Sequence, residues 1–152
     1  MMADGLPDAD AVGALLRART KDVNGAELGT FNEDTRPTGD EVDTLAQAAA
    51  DEVYATLGAY DSLPDSMTDP ATRLVALRTA MLVELSYFPE QVASDKSPFA
   101  MFEALYEKAL PRLVEAVREA LSDGAAQAGD AMLPLFGFPV NEGGMISNGT
   151  QW

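Results

Sequence analysis

The sequence contains no cysteine and no histidine among its 152 residues. Without cysteine there is no disulfide framework, no thiolate nucleophile and no cysteine-ligated zinc site. Without histidine, the usual general base near neutral pH and the commonest transition-metal ligand are both missing. The chain also lacks an EF-hand loop, a Walker A motif and a glycine-rich dinucleotide fingerprint. We therefore expect a protein that is not an enzyme and that carries no cofactor and no metal site.

Basic residues are scarce, with 10 lysines and arginines against 25 acidic residues and a net charge of −15. Such a surface repels nucleic-acid phosphates and gains no affinity from counterion release. One interpretation is that the acidic charge serves only to keep the protein soluble. The other is a surface that DNA must pass without binding, and composition does not choose between them.

Long apolar runs are also missing, since no stretch approaches the roughly 20 residues that a membrane helix needs. The first eight residues are acidic, where a secretory signal would be basic and then apolar. We therefore expect no contact with a membrane and a protein made and kept in the cytoplasm of the cell that synthesises it. Hydrophobic residues make up 47% of the chain, which is typical of a globular domain.

Apolar residues recur at helical spacing through most of the chain, which predicts an all-α bundle of about four helices. The first of these helices can be capped by Asp8 or Asp10. The predicted helices lie near residues 8–19, 39–57, 70–87 and 98–122. They form a helical domain over residues 1–123.

The second predicted helix has the clearest end signals. Thr38 and Glu41 have the spacing of a capping box, and Gly58 lies where a left-handed C-cap belongs. Small residues on this helix permit close approach by another helix, within the chain or between subunits. They are Ala46, Ala48, Ala49 and Ala50.

Prolines and glycine mark the ends of the other two long helices. Asp69 and Pro70 suit an N-cap followed by a proline in the first turn, and Pro89 cannot continue that helix. Pro111 lies inside the last helical pattern and predicts a kink or two helices in sequence. Gly124 is predicted to end the last helix.

Between the first two helices, residues 20–37 lose helical periodicity. Asn24-Gly25 is a strong turn signal and predicts a small hairpin or an ordered loop, with Phe31 anchoring it to the core. We expect this loop to contact a tail-side partner or a neighbouring subunit. Its candidate contact residues are Val23, Asn24, Gly25, Leu28 and Phe31.

The last segment, residues 124–152, is rich in glycine, contains no basic residue and has no helical period. A mobile tail would fit the glycines, but such a tail normally lacks large apolar groups. We therefore interpret it as an extended C-terminal docking tail. Its candidate anchors are Leu133, Phe136, Phe138, Pro139, Met145, Ile146 and Trp152.

Several short stretches resemble the head–tail connector, or adaptor, family of long-tailed bacteriophages, especially phages of actinobacteria. They are Glu84-Leu85-Ser86-Tyr87-Phe88-Pro89-Glu90-Gln91 with the following Ser97-Pro98, the segment Thr30-Phe31-Asn32-Glu33-Asp34-Thr35-Arg36-Pro37-Thr38, and Phe136-Gly137-Phe138-Pro139. The similarity covers about residues 8–139, and none of the stretches is a catalytic signature.

The resemblance implies a structural virion protein at the neck of the particle. Members of the family form a ring, typically of twelve copies, between the portal protein and a tail-side neck protein. DNA passes through the lumen of the ring without specific binding. The C-terminal segment tends to reach the portal, which suits the docking tail.

Two other classes of protein remain open. One is another neck or tail-completion protein of the stopper type, which would lack an apolar tail that binds the portal. The other is a soluble acidic regulatory domain, such as a mimic of DNA. A mimic should arrange its carboxylates in a dense stripe, whereas a ring subunit should divide them between the lumen and the outer wall.

Overall fold

A computed structural model describes the backbone of residues 6–58 and 63–132, with side chains described up to residue 123. Within these ranges the ordered elements are helices, and no strand occurs apart from one isolated antiparallel bridge. The prediction of an all-α fold is confirmed. The helices are α1 (Ala9–Leu15), α2 (Gly39–Leu57), α3 (Thr68–Tyr87), α4 (Pro89–Ala93) and α5 (Phe99–Met132).

The first helix is shorter than predicted. Oδ1 of Asp8 accepts a hydrogen bond from the backbone N–H of Ala11 at 2.8 Å, so Asp8 is the N-cap. The α-helix ends at Leu15, Leu16 leaves the helical region, and a 3-10 turn follows over Arg17–Arg19. At the point where the α-helix is interrupted, the side chain of Leu16 is buried and only 2% exposed.

The second helix begins and ends where the sequence predicted. Thr38 accepts from the backbone of Glu41, and the Glu41 carboxylate accepts from the backbone of Thr38, which completes the capping box. Gly58 closes the helix in the left-handed region, at φ 69° and ψ 15°. These local signals need no tertiary contact to act.

The third helix begins at Thr68, after a 3-10 turn over Asp65–Met67. Asp69 therefore lies in the first turn and is not the N-cap that the sequence predicted, although Pro70 does fall in that turn. The helix ends at Tyr87, because Phe88 leaves the helical region before Pro89. A short helix that was not predicted, α4, starts at that same proline.

The last helix corrects two predictions. It continues as one α-helix through Pro111, so two helices in sequence do not occur there. It also passes Gly124 and ends at Met132, so residues 124–132 are helical where an extended tail was predicted. Alanine is the strongest helix former, and the alanines that follow Gly124 offset its poor propensity. They are Ala125, Ala126, Ala128 and Ala131.

The chain divides into two compact units, Met1–Val117 and Arg118–Trp152. In the first unit, α3 packs most extensively on α2 and also contacts α1. Small side chains on both helices are buried, which allows their backbones to approach closely. They are Ala46, Ala49 and Ala50 on α2, and Ala71, Ala76 and Ala80 on α3.

The alanine stripe predicted on α2 therefore serves a contact within the chain, except that Ala48 is exposed. Larger side chains fill the rest of the same core. They are Val12, Leu16, Val42, Val53, Leu74, Val75, Met81, Val83, Phe102, Tyr106, Leu113 and Val117.

Candidate functional site

The predicted loop between α1 and α2 forms a tight hairpin. Lys21 and Glu27 form the isolated antiparallel bridge at its base. Oδ1 of Asp22 accepts two backbone N–H groups of the turn, at 2.8 and 3.0 Å, and the Asp22 carbonyl accepts from the N–H of Gly25 at 3.0 Å. Gly25 has φ 85°, which a residue with a side chain rarely adopts. The tip is thus fixed by its own hydrogen bonds.

The candidate contact residues of this loop have different positions. Val23 is 92% exposed at the tip, and Leu28 is 39% exposed near the base. Asn24 and Gly25 are also exposed. Phe31 is buried in the core, as predicted for the anchor, and cannot contact a partner from there. We call residues 21–27, with Val23 at their tip, the hairpin knob.

The loop that carries the hairpin knob packs on α1 just after the knob, at Gly29 and Thr30. A Cβ atom on Gly13 would lie 2.6 Å from the carbonyl oxygen of Gly29, so helix and loop meet where α1 lacks a side chain. The hydroxyl of Thr20, which is fully buried, accepts the N–H of Gly29 at 3.0 Å. Arg17 and Glu27 add an exposed ion pair at 3.4 Å. The orientation of the knob therefore follows that of α1.

An apolar groove of about 650 Å³ lies between α3 and α5. Leu105, on α5, is 48% exposed although it lines the groove. One turn earlier, Met101 extends the apolar surface and is 57% exposed. The groove is lined by Met67, Pro70, Arg73, Leu74, Leu77, Leu105, Lys108, Ala109, Arg112, Leu113 and Ala116. We call this feature the α3–α5 groove.

The charge of the α3–α5 groove is opposite to that of the chain. Arg73, Lys108 and Arg112 are exposed at its edge, and none of its lining residues is acidic. This is three of the ten basic residues in a chain of net charge −15. An apolar floor with a basic rim is suited to an apolar side chain that has carboxylates beside it. No sequence pattern predicts this groove, because helical periodicity does not reveal the distance between two helices.

A buried ion pair lies at the opposite end of α3. Arg19 binds the Glu84 carboxylate with two hydrogen bonds, of 2.7 and 2.8 Å, and its guanidinium lies 3.9 Å from the centre of the Phe88 ring. Ser97 donates a third hydrogen bond to the same carboxylate at 2.7 Å. Glu84 is fully buried.

Three of these residues, Glu84, Phe88 and Ser97, belong to the stretches 84–91 and 97–98 on which the expected resemblance rests. In this chain they form a structural cluster around Arg19, with their polar atoms paired to one another. These residues therefore join the segment after α1 to the end of α3.

A second, smaller hollow of about 200 Å³ lies beside this cluster. Two of its basic residues are already paired, Arg17 with Glu27 and Arg19 with Glu84. The hollow is therefore a weaker candidate for an anion site than its basic lining suggests.

One more polar cluster connects α2, α3 and α5. Nε of Arg78 lies 2.9 Å from Oε2 of Glu52, but the two are not aligned for a hydrogen bond, so the contact is an ion pair. Arg78 also lies over the ring of Tyr106, 5.7 Å from its centre. Burial, followed by the negative charge of Glu52, raises the pKa of Tyr106. This cluster holds α5 against the other two helices.

No group of three or more acidic side chains is placed to hold a metal ion in the part of the chain that the structure describes. None of the described helices is both long and apolar enough to cross a membrane. All the predicted docking-tail residues lie outside the described residues. They are Leu133, Phe136, Phe138, Pro139, Met145, Ile146 and Trp152.

No protein-family model, curated protein or solved structure matches this chain. The features that bear on function are therefore the hairpin knob, the α3–α5 groove and the acidic surface.

Proposed function

We propose that this chain is a head–tail adaptor, a structural subunit that assembles into a ring between the portal and the tail of a bacteriophage. In this proposal the protein is a component of the virion neck, with the portal, a tail-side neck protein and further copies of itself as partners. DNA passes through the lumen without specific binding, and the chain needs neither a cofactor nor a membrane.

The observation that carries the proposal is the exposure of Val23 on a fixed hairpin. Val23 is 92% exposed, and the hydrogen bonds of Asp22 hold the turn that presents it. A rigid apolar group in water is unfavourable, and it becomes favourable when a partner covers it. The hairpin is also the loop from which a tail-side or inter-subunit contact was predicted.

The charge of the chain supports the same proposal. A net charge of −15 keeps a lumen wall from binding the phosphates of a passing duplex. Several acidic residues are exposed along α2, at Asp40, Glu41, Asp43, Asp51 and Glu52. The apolar residues of the C-terminal segment supply a second binding surface, directed at the portal.

The test combines the purified full-length chain with the portal protein encoded in the same genome. We expect negative-stain images of a ring with a central channel, and native mass spectrometry of a complex that contains both proteins. Truncation after Met132 leaves α5 intact and should abolish portal binding without loss of the fold. A full-length variant with Phe136→Ser and Phe138→Ser should lose most of the affinity.

The matched control is Leu85→Ser, which removes an apolar side chain that is 42% exposed outside the knob, the groove and the tail. This variant should bind the portal like the unchanged chain. Binding only at the tail-side end of a preformed portal–adaptor assembly would indicate a stopper protein instead. A monomer that binds a DNA-binding protein in competition with duplex DNA would indicate an acidic mimic.

A further inference from the structure

We infer that the α3–α5 groove receives the hairpin knob of a second copy of this chain. The inference rests on the proposed ring, and it names the surfaces through which neighbouring subunits meet. Both surfaces lie in the same compact unit of the chain, and they share no residue.

An occupant of the groove would be stabilised, because apolar side chains in the groove and next to it are exposed. Leu105 is 48% exposed, and Met101, one turn away, is 57% exposed. Covering such groups stabilises an assembly by roughly 25 cal/mol for each Å² of apolar surface removed from water. A volume of about 650 Å³ has room for the tip of a hairpin with its side chains.

The hairpin knob is the occupant that fits best among the described surfaces. Among the large apolar side chains exposed there, Val23 is the most exposed, at 92%. Because Val23 is exposed within its own chain, the knob is not seated in the groove of the same molecule. A groove that covers it would have to belong to another molecule.

Charge favours the same pairing. The rim of the groove is basic, through Arg73, Lys108 and Arg112. On the knob, the carboxylate of Asp22 lies beside the tip, while Glu27 is paired with Arg17 and Lys21 lies at the base. Opposite charges around an apolar contact fix its register more than they strengthen it.

The rigidity of the knob adds to the argument. Its turn is already held by hydrogen bonds to Asp22, and the loop segment that follows it packs on α1 where Gly29 meets Gly13. A partner that binds a preorganised loop does not have to order it, so less of the interaction energy is lost.

A knob that enters the groove of another copy makes a head-to-tail contact. Each copy then offers one knob and one groove, so the contact can be repeated from subunit to subunit. Contacts of this kind produce a closed ring when the rotation between subunits closes, and a helical filament when it does not. A two-fold dimer would instead bring the same surface of both copies together.

Because the natural chain has no cysteine, disulfide trapping can test this contact without background. Two full-length single-cysteine variants are mixed under conditions that give the ring. One carries Val23→Cys and a size tag, and the other carries Ala109→Cys in the groove. A disulfide forms only when the two Cα atoms come within about 4–7 Å, so a cross-link reports direct contact.

We expect a cross-linked species that contains one copy of each variant, and a ladder of oligomers from the double variant with both cysteines. Val23→Cys alone should give no dimer, because two knobs do not meet. The control pairs Val23→Cys with Ala48→Cys, an exposed position on α2 outside the groove, and should show no cross-link. If Ala109→Cys is poorly folded, Leu105→Cys replaces it, since that side chain is half exposed.

The outcomes separate this inference from the proposed function. Rings that form without the Val23–Ala109 cross-link overturn the groove assignment and leave the adaptor proposal standing. Cross-linked oligomers that never bind the portal support the groove assignment and overturn the adaptor proposal. If the chain stays monomeric both alone and with the portal, the groove assignment and the adaptor proposal are both overturned. A cross-link equally strong to Ala48→Cys would show random collision and would overturn the inference.

Discussion

Arg19 and Glu84, 65 positions apart in the chain, form a two-hydrogen-bond ion pair in which the carboxylate is completely buried. Phe88 covers the guanidinium, and Ser97 donates to the carboxylate. One acidic side chain thus fixes the segment after α1, the end of α3 and the start of α5.

Glu84→Gln should destabilise the protein strongly, because Arg19 keeps its charge in a site that no longer neutralises it. We expect a loss of about 3–5 kcal/mol in the free energy of unfolding, measured by urea titration followed by circular dichroism. The double variant Arg19→Met with Glu84→Met should recover much of that loss. Arg17→Met is the control, since its pair with Glu27 is exposed and should contribute only ~0–1 kcal/mol. Equal effects of Glu84→Gln and Arg17→Met would contradict the importance of the buried pair.

Gly13→Ala should lower the melting temperature, although alanine normally stabilises a helix by about 1 kcal/mol relative to glycine. The added methyl group would lie 2.6 Å from the carbonyl oxygen of Gly29 and 2.9 Å from Cα of Thr30, and backbone atoms cannot move aside cheaply. The control is the opposite substitution, Ala14→Gly, at the next position, which is exposed. It should destabilise the protein only because glycine has a lower helix propensity than alanine. A gain in stability from Gly13→Ala would show that α1 and the hairpin are not in close contact.

Asp43→Asn should stabilise the protein at neutral pH. Asp43 is exposed, but partial desolvation of its carboxyl first, and then the carboxylates of Asp40 and Asp8, raise the pKa of Asp43 above the usual 3.8. A carboxyl whose pKa is higher in the folded than in the unfolded state disfavours folding when it is ionised. The advantage of the Asn variant should therefore be present at neutral pH and disappear as the pH falls towards 3.8, where Asp43 itself becomes neutral.

The measurement compares the urea midpoints of the two proteins between pH 7 and pH 3.5. Asp51→Asn on the same helix removes one charge away from Asp8 and Asp40, and serves as the control for net charge. An advantage of Asp43→Asn that persists unchanged at the acid end of the range would contradict the electrostatic explanation.

The full-length protein should not bind duplex DNA, even at low salt, because an acidic surface gains nothing from counterion release. Fluorescence anisotropy of a labelled duplex should remain unchanged up to high protein concentration. In a reconstruction of the ring, acidic side chains should outnumber basic ones within about 8 Å of the lumen surface, the Debye length at physiological salt. A lumen wall dominated by lysine and arginine would contradict the proposed conduit.

Local signals predicted α2 correctly at both ends, because Thr38, Glu41 and Gly58 act within one turn of the backbone. The same is true of the hairpin, where the Asn24-Gly25 pair marks the turn. Phe31 is predicted to anchor that loop to the core, and it is buried there. These predictions depend on short-range chemistry that the sequence displays directly.

The sequence predictions fail where several weak helix-forming preferences compete, or where the structure depends on contacts between residues distant in the chain. Gly124 was predicted to end α5, but the alanines after it favour helix strongly enough to continue to Met132. The pairing of Arg19 with Glu84 depends on how α1 packs on α3, which no local pattern encodes. The α3–α5 groove was missed for the same reason, since the distance between two helices follows from their side chains together.

The Arg19–Glu84 pair also sets an order of events during synthesis. Residues 39–87 form two helices adjacent in sequence, so their packing requires only a short loop to close and can occur early. The first helix leaves the ribosome before them, but Arg19 has no partner until Glu84 has emerged. The α1 helix, which contacts α3 in the finished protein, lacks part of those contacts during that interval. A nascent chain halted before residue 84 lacks the Arg19–Glu84 pair, so its residues 9–19 should be more accessible to proteases than in the finished protein.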